Sequence, residues 1–513
     1  MQETPNILLL VLDGVRSDRM SCYGHHRPTT PFLNDFAGDA ALFENHYSVG
    51  NESMPVHISM LSGIHGAFHG AGSNESVYDG RYPLITELLK EKGYSTVGVS
   101  SQNPYFQLDT GFIRGFDRYW TVVKSSKQMR LWGMRRSWME APHRFLRNLP
   151  GFSRIRAAAE TSGKTYRALS DFYLRNDHSG QMVVETLIKE FQTAKQNGTP
   201  AFWFANIVDA HRPFLPMAQY RHLFESATLN ERVLQAMFDP YAILSGRLRL
   251  DPHEIESLRN LYDAGIRYVD DLVRQLVGAM KSLGLLENTL VVITSDHGEM
   301  LLEKEDLLGH GTSMYEGMIK VPLIMRHPAL FPSGVIDNRL ACTIDLFATI
   351  ASAAGIHVQK GSFEYQGLDL SRKSDVKSWR HFVVSEEPSI SYPERLYAFP
   401  EILHRYLNIE RAMIGEEYKY VWHSSGDHRL NRRDDVTEEV NLYGRDYREQ
   451  ISKMRTELFE WYGKQVAVGD IFDPEQFKMC GYHPSLDPVN TKNIFVRPVD
   501  PPETVKVIYD APR

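Results

Sequence analysis

Two short motifs in this chain place acidic and imidazole side chains at the ends of apolar runs. Asp13-Gly14-Val15-Arg16-Ser17-Asp18 closes the first, and Thr294-Ser295-Asp296-His297-Gly298-Glu299 closes the second. A carboxylate beside a glycine, where backbone can approach closely, suits a divalent cation. An adjacent Asp and His can turn toward one ion and give it one oxygen and one nitrogen. A lone strand-end Asp often merely caps the next helix, but the two motifs together make Asp13, Asp296 and His297 a candidate metal group. A third motif, Ser53-Met54-Pro55-Val56-His57, sets a serine at a proline-stiffened turn ahead of a helix. Free amides and the helix dipole there stabilise an alkoxide or a bound oxyanion, and direct coordination to a cation would turn Ser53 into a nucleophile without a separate base. His211, in Asp209-Ala210-His211-Arg212-Pro213-Phe214, and His310, in Gly309-His310-Gly311, complete the set. Each could protonate a leaving oxygen, hold a non-bridging oxygen or ligate a second metal.

These residues need a scaffold that brings distant segments together. The runs Asn6 to Asp13, Ser95 to Ser101, Ala201 to His211 and Thr289 to Asp296 are continuously apolar and β-branched, which predicts strands buried on both faces of a mostly parallel sheet covered by helices. Helical spacing over Leu84 to Lys92 and Asn260 to Leu283 supplies the cover. In open parallel sheets the ligand crevice lies beyond the carboxyl ends of the strands, where Asp13, His211, Asp296 and His297 fall. The expected fold class is therefore α/β, doubly wound, with a catalytic domain over about residues 1–390. After a polar stretch from Ser371 to Ser378, the run His381 to Ser385 is followed by a different texture. Arg411 to His423 and Glu439 to Tyr443 read as short antiparallel strands and Tyr447 to Tyr462 as an amphipathic helix, predicting a small C-terminal α+β domain over residues 391–513. Its proline-rich tail from Phe472 is expected to wrap the surface or a neighbouring subunit. A helical insertion over about residues 124–185 stands apart: from Lys124 to Arg156 it holds nine Lys or Arg and one acid, Glu140. It reads as a solvated helical face, or else as a lid or oligomer contact that gathers an anionic substrate.

The ordered set of motifs resembles the sulfatase family of the alkaline phosphatase superfamily. Besides the segments above, Cys22-Tyr23-Gly24, Leu61-Ser62-Gly63, Gly93-Tyr94-Ser95-Thr96, Tyr315-Glu316 and Val321-Pro322-Leu323-Ile324 carry the resemblance, and Tyr418-Lys419-Tyr420 and Asn441-Leu442-Tyr443 look like its small C-terminal domain. The resemblance implies that Asp13, Asp296 and His297 hold a metal, that Ser53 is the nucleophile, and that His211 and His310 contact substrate or leaving group. The departures carry information too. Sulfatases typically have a second acid where this chain has Gly14, and an Arg where it has His57. Where they bind sulfate after the Gly-Tyr-x-Thr strand, it has Ser101 and Asn103. Thus His57 and Asn103 stand as substrate contacts of a different kind, and oxidation of Ser53 to formylglycine is not expected. An unmodified serine sulfate must be displaced by water at sulfur, whereas a serine phosphoester beside a metal is hydrolysed by in-line attack. That shifts the expectation toward a phosphate-type ester, with a formylglycine sulfatase, a phospho-group transferase and a non-catalytic anion binder as alternatives.

An Asp, Asp, His set with a serine oxygen suits one zinc or manganese ion, and His211 with His310 could assemble a second. The net charge of -7 over 513 residues gives no global pull toward nucleic acid or an anionic membrane, so the expected partner is a small anionic ester, with the tail or the basic segment as homo-oligomer contacts. Three cysteines without metal-type spacing and a start without a basic leader or long apolar run lead to the expectation of a cytoplasmic protein with no membrane span.

Overall fold

The computed structural model describes residues 4–74, 76–101, 105–106, 110–123, 179–225, 229–304, 306–357, 366–372, 379–386, 409–465 and 504–509. A nine-stranded sheet forms its centre. From one edge the strand order is Val335–Asp337, Ala41–Phe43, Leu323–Arg326, Thr289–Thr294, Asn6–Leu12, Ala201–Ile207, Ser95–Ser101, Arg118–Val123 and Thr504–Tyr509. Every pairing is parallel except those of Leu323–Arg326, which runs against both its neighbours. The expected mixed, mostly parallel α/β sheet is the fold observed.

The continuous apolar runs follow from burial on both faces. Along Asn6–Leu12, Leu8, Leu10 and Leu12 pack into one core and Ile7, Leu9 and Val11 into the other. The first core is closed by the helices Ser179–Asn197, Glu231–Phe238 and Pro252–Ser282, the second by Ser53–Ser62, Ile85–Glu91 and Asp345–Ala353. Asn6–Leu12 lies between Thr289–Thr294 and Ala201–Ile207, and Val11 is level with Thr294 on one side and Asn206 on the other. This register brings the ends of three strands to one place on the sheet edge. The long helix starts eight residues before the predicted Asn260, because Asp251 and Glu254 form a reciprocal cap around Pro252 that outweighs the weak apolar period of its first turns.

A four-stranded antiparallel sheet, Val383–Glu386, Glu410–Ile414, Tyr418–His423 and Arg429–Arg432, packs with the helix Arg448–Gln465. Glu439 to Tyr443 forms no strand. It runs as an irregular segment tied to the last strand through Leu442 N–H to the Leu430 carbonyl, 2.7 Å, and Leu430 N–H to Asn441 Oδ1, 3.0 Å. The second sheet is joined to the first unit by Lys419, which is 1 % exposed and contacts Glu438 at 2.9 Å and Glu316 at 3.2 Å. Residues 179–185 are the opening turns of a core helix, with Val183 and Val184 fully buried. Residues 124–178 and the tail before Thr504 lie outside the described residues. Among the described residues no helix is long and apolar enough to cross a membrane.

Three histidines, His46, His65 and His69, are buried away from the strand ends, and desolvation pushes each down to about 3. In the unfolded chain they bind protons below about pH 6.5, whereas in the folded chain they stay neutral. The unfolded state thus holds more protons as pH falls from about 6.5 toward 3, and stability declines through that window by up to about 1.4 kcal/mol per pH unit per histidine. Urea midpoints of the metal-chelated protein should fall between pH 7 and pH 5; a flat profile would contradict these assignments.

Candidate active site

Asp13 follows the central strand directly, and its carboxylate is 1 % exposed. Oδ2 accepts from Asn206 Nδ2 at 3.1 Å, while Oδ1 has no hydrogen-bond partner. Asp296 and His297 follow the adjacent strand and are fully buried. Asp296 Oδ1 accepts from the amides of His297 (2.9 Å) and Gly14 (3.2 Å), and Oδ2 is unpartnered. His297 Nδ1 faces the Gly298 carbonyl at 3.0 Å, which makes Nδ1 the protonated nitrogen and leaves the lone pair of Nε2 on the other side. That lone pair lies 3.5 Å from Asp296 Oδ2 and 3.8 Å from Asp13 Oδ1.

Ser53 is the first residue of the helix Ser53–Ser62 and is 3 % exposed. Its Oγ lies 3.2 Å from His297 Nε2, and the hydroxyl is among the groups that lower the Asp296 carboxyl. The turn is held by Asn74 Oδ1, which accepts from the Met54 amide at 2.8 Å. Serine oxygen, imidazole nitrogen and two carboxylate oxygens thus face one another.

The two carboxyls share a negative-charge problem. Burial, then the neighbouring Asp296 carboxylate, pushes Asp13 up to about 8. Burial also acts to raise Asp296, but His297, His57, the Ser53 hydroxyl and the Gly14 amide together hold it below the usual carboxylate range. His297 is raised despite burial, by Asp296, Asp13 and Glu299. Unpartnered carboxylate oxygens of this kind are costly in a low-dielectric interior. Asp13, Asp296 and His297 offer one ligand atom each within a span of 4.8 Å, and so do His211, His297 and His310. The donor set fits a divalent cation.

His211 and His310 sit on the more open side, with side chains 23 % and 15 % exposed. His211 Nδ1 faces the Arg212 carbonyl at 2.6 Å, and His310 stacks on His297 with ring centres 4.3 Å apart. Desolvation lowers His211 to about 4 and His310 well below its ordinary value. His57 is placed differently. Its fully buried ring packs edge-on against Phe106, Phe112 and Phe204, and Nδ1 donates to the Ser53 carbonyl at 2.7 Å. It stands behind the serine, 3.7 Å from Asp296 Oδ2, with its charge suppressed by burial. Ser101 is buried at its strand end, and Asn103 lies outside the described residues.

Two residues of the site were not singled out in the sequence. Asn206 was signalled by a lone polar residue in an otherwise apolar strand. Glu299, fully buried, was signalled by its place in the Asp296-His297-Gly298-Glu299 motif. Gly14 adopts φ +73, and a Cβ there would meet Glu299 Cγ and His211 Cδ2 at 3.3 Å. The space beside the missing second acid is therefore filled from Glu299 and His211.

A family model described as Sulfatase matches residues 5–356. The chain belongs to the sulfatase family. It is 24% identical to Arylsulfatase K of Xenopus laevis over 88% of this chain and 81% of that protein. It is also 24% identical to an N-acetylglucosamine-6-O-sulfatase of Bacteroides thetaiotaomicron, over 71% and 70% of the two chains. In structure this sulfatase-family chain is similar to the phosphonate monoester hydrolase of Agrobacterium radiobacter, with TM-score 0.66, 20% identity and coverage of 90% and 96%. A phosphonate monoester hydrolase from Silicibacter pomeroyi gives TM-score 0.61 at 19% identity, again covering 90% and 96%. At these identities the structural likeness concerns the fold, a mixed sheet with a separate four-stranded sheet.

Proposed function

We propose that this chain is a metal-dependent hydrolase that cleaves a phosphate-type monoester, diester or phosphonate ester through unmodified Ser53. The observation that carries the reading is the placement of Ser53 Oγ at a helix N-terminus, 3.2 Å from His297 Nε2. Asp13, Asp296 and His297 would hold a divalent cation, for which zinc or manganese suits the mixed oxygen and nitrogen donors. Such an ion supplies charge neutralisation at the ester and lowers the pKa of a coordinated hydroxyl. Ser53 Oγ, its hydroxyl proton released, would form a bond to phosphorus as the bond to the ester oxygen breaks, and that oxygen leaves with a proton on the open side lined by His211 and His310. Asn206 and the amides of Gly14 and His297 fix the two carboxylates, and His57 fixes the Ser53 carbonyl, so the nucleophile is held before substrate arrives. Water completes the cycle by cleaving the covalent serine ester.

Phosphorus is favoured over sulfur by the replacement of the sulfate-binding side chains and by the neutral, aromatic-packed His57 behind the serine. Names of the relatives support both ester classes, since they include sulfatases and phosphonate monoester hydrolases. Rates on aryl sulfate, phosphate monoester, phosphodiester and phosphonate monoester, with mass spectrometry of the Ser53 peptide from the native host, test the assignment. The expected outcome is an unmodified serine and a kcat/KM at least about 100-fold higher on a phosphorus ester, a gap of about 2.7 kcal/mol in transition-state stabilisation. Formylglycine at position 53 with sulfate as the preferred ester would replace this reading by that of a true sulfatase.

A further inference from the structure

Two carboxylates from the second, four-stranded sheet and the loop after it hold the segment 314–318 of the first unit. Glu410 Oε2 accepts from the Met314 amide at 2.7 Å, and Glu438 Oε2 accepts from the Glu316 amide at 2.7 Å. Each carboxylate is paired with a cation of its own unit. Arg429 holds both oxygens of Glu410, at 2.7 and 2.9 Å, and covers the Tyr315 ring 4.2 Å from its centre. Lys419, 1 % exposed, lies 2.9 Å from Glu438 and 3.2 Å from Glu316. Hydrogen bonds to an ionised acceptor are stronger than neutral ones, and the cations let these carboxylates stay buried.

The backbone at Glu438 is specialised for its contact. Its φ of 51 lies in the left-handed region, which a residue with a Cβ enters at a cost and keeps only where its surroundings fix it. The Glu438 amide donates to the Asp435 carbonyl at 2.9 Å, and the Glu438 carbonyl accepts from Lys304 Nζ at 3.1 Å. The side chain is thereby aimed at Glu316.

Beyond Glu316 the same segment touches the residue that follows His297. Gly317 and Gly298 meet backbone to backbone: a Cβ on Gly298 would collide with the Gly317 carbonyl oxygen. The Gly298 amide donates to the Met318 carbonyl at 2.7 Å, which fixes the peptide joining His297 to Gly298. The Gly298 carbonyl in turn faces His297 Nδ1 at 3.0 Å.

We propose that Glu438 and Lys419 are positioning residues for His297, acting through Glu316 and the contact of Gly317 and Met318 with Gly298. The inference rests on the proposed function in that it takes His297 as a metal ligand. Outer partners that orient a ligating imidazole are worth about 10- to 100-fold in metal affinity.

Calorimetric titration of the metal-free full-length protein with manganese or with zinc, well below its melting temperature, tests the assignment. Glu438→Ala removes the acceptor for the Glu316 amide and should weaken metal binding by about 10-fold or more. Glu438→Gln keeps an acceptor there and should bind within about threefold of the wild type. Lys419→Met, which leaves the two carboxylates facing each other, is the second variant should Glu438→Ala fail to fold, and it too should lose about 10-fold. Leu458→Ala controls for stability alone: Leu458 is fully buried in the core of the C-terminal unit, so truncating it should lower the melting temperature and leave the affinity unchanged. Glu438→Ala and Lys419→Met proteins that bind metal as tightly as Leu458→Ala would make both residues merely structural and overturn the inference, with the proposed function intact. A wild type that binds neither metal overturns the proposed function as well.

Discussion

Ser53→Ala is expected to lower kcat by at least about 10⁴-fold, the scale seen when a nucleophile is removed from a catalytic unit, with metal uptake and melting temperature retained. The size follows from the lack of a substitute. A neighbouring hydroxyl, Ser295, is already engaged: its Oγ accepts from the Val15 amide at 3.0 Å and donates to the His297 carbonyl at 2.8 Å. Retention of the fold follows from what Ser53 does not do, because the helix start is fixed by Asn74 on the Met54 amide and by Pro55 rather than by the Ser53 side chain. Single-turnover measurements give the sharper check: the wild type should release alcohol in a burst that matches enzyme concentration, and the variant should show none. Wild-type-like turnover by Ser53→Ala would mean that water attacks the ester directly, and the covalent route would be lost.

Much of this site was legible in the sequence because its residues follow apolar strands closely. Asp13, Asp296 and His297 lie within three residues of the ends of runs whose burial on both faces could be read from their continuous apolarity, and a parallel sheet delivers such ends to one edge. His211 and His310 came from their motifs. Less legible was everything fixed by packing across the chain. His57 occupies a place where the family resemblance suggested a substrate contact, yet the rings of Phe106, Phe112 and Phe204 enclose it, and no pattern local to His57 encodes that enclosure. Glu299 was visible as a letter in a motif, but its relation to Gly14 needed the positive φ and the 3.3 Å approach that link positions 285 residues apart. The irregular Glu439 to Tyr443 segment illustrates the opposite failure. Its alternating pattern suits a strand, but Asn441 spends its side chain on the neighbouring strand's Leu430 amide and the ladder stops there.

Asp13→Asn should separate stability from function in opposite directions. In the metal-free wild type, the Asp13 carboxyl is raised from 3.8 to about 8, so at pH 7 the folded protein must keep a proton that the unfolded chain releases. The sign is that of a raised acid: the penalty is absent below about pH 4 and grows as pH rises toward 8, reaching a few kcal/mol by pH 7 at about 1.4 kcal/mol per unit. Asparagine removes that penalty. It retains an acceptor for Asn206 Nδ2 and can turn its amide N–H toward His297 Nε2, which lies 3.8 Å from Asp13 Oδ1. In chelator the variant is therefore expected to melt above the wild type. With metal the gap narrows, because a ligand present at 100 times its Kd stabilises the wild type by about 2.7 kcal/mol and the variant, lacking an anionic ligand, gains little. Activity should follow the metal, falling by about 10³-fold or more with the loss of charge neutralisation at the ester. Thermal melts of both proteins with chelator and with saturating manganese or zinc decide the matter. A variant that melts below the wild type in chelator, or that gains as much from metal as the wild type does, would show that Asp13 is a structural carboxylate and would move the metal site elsewhere.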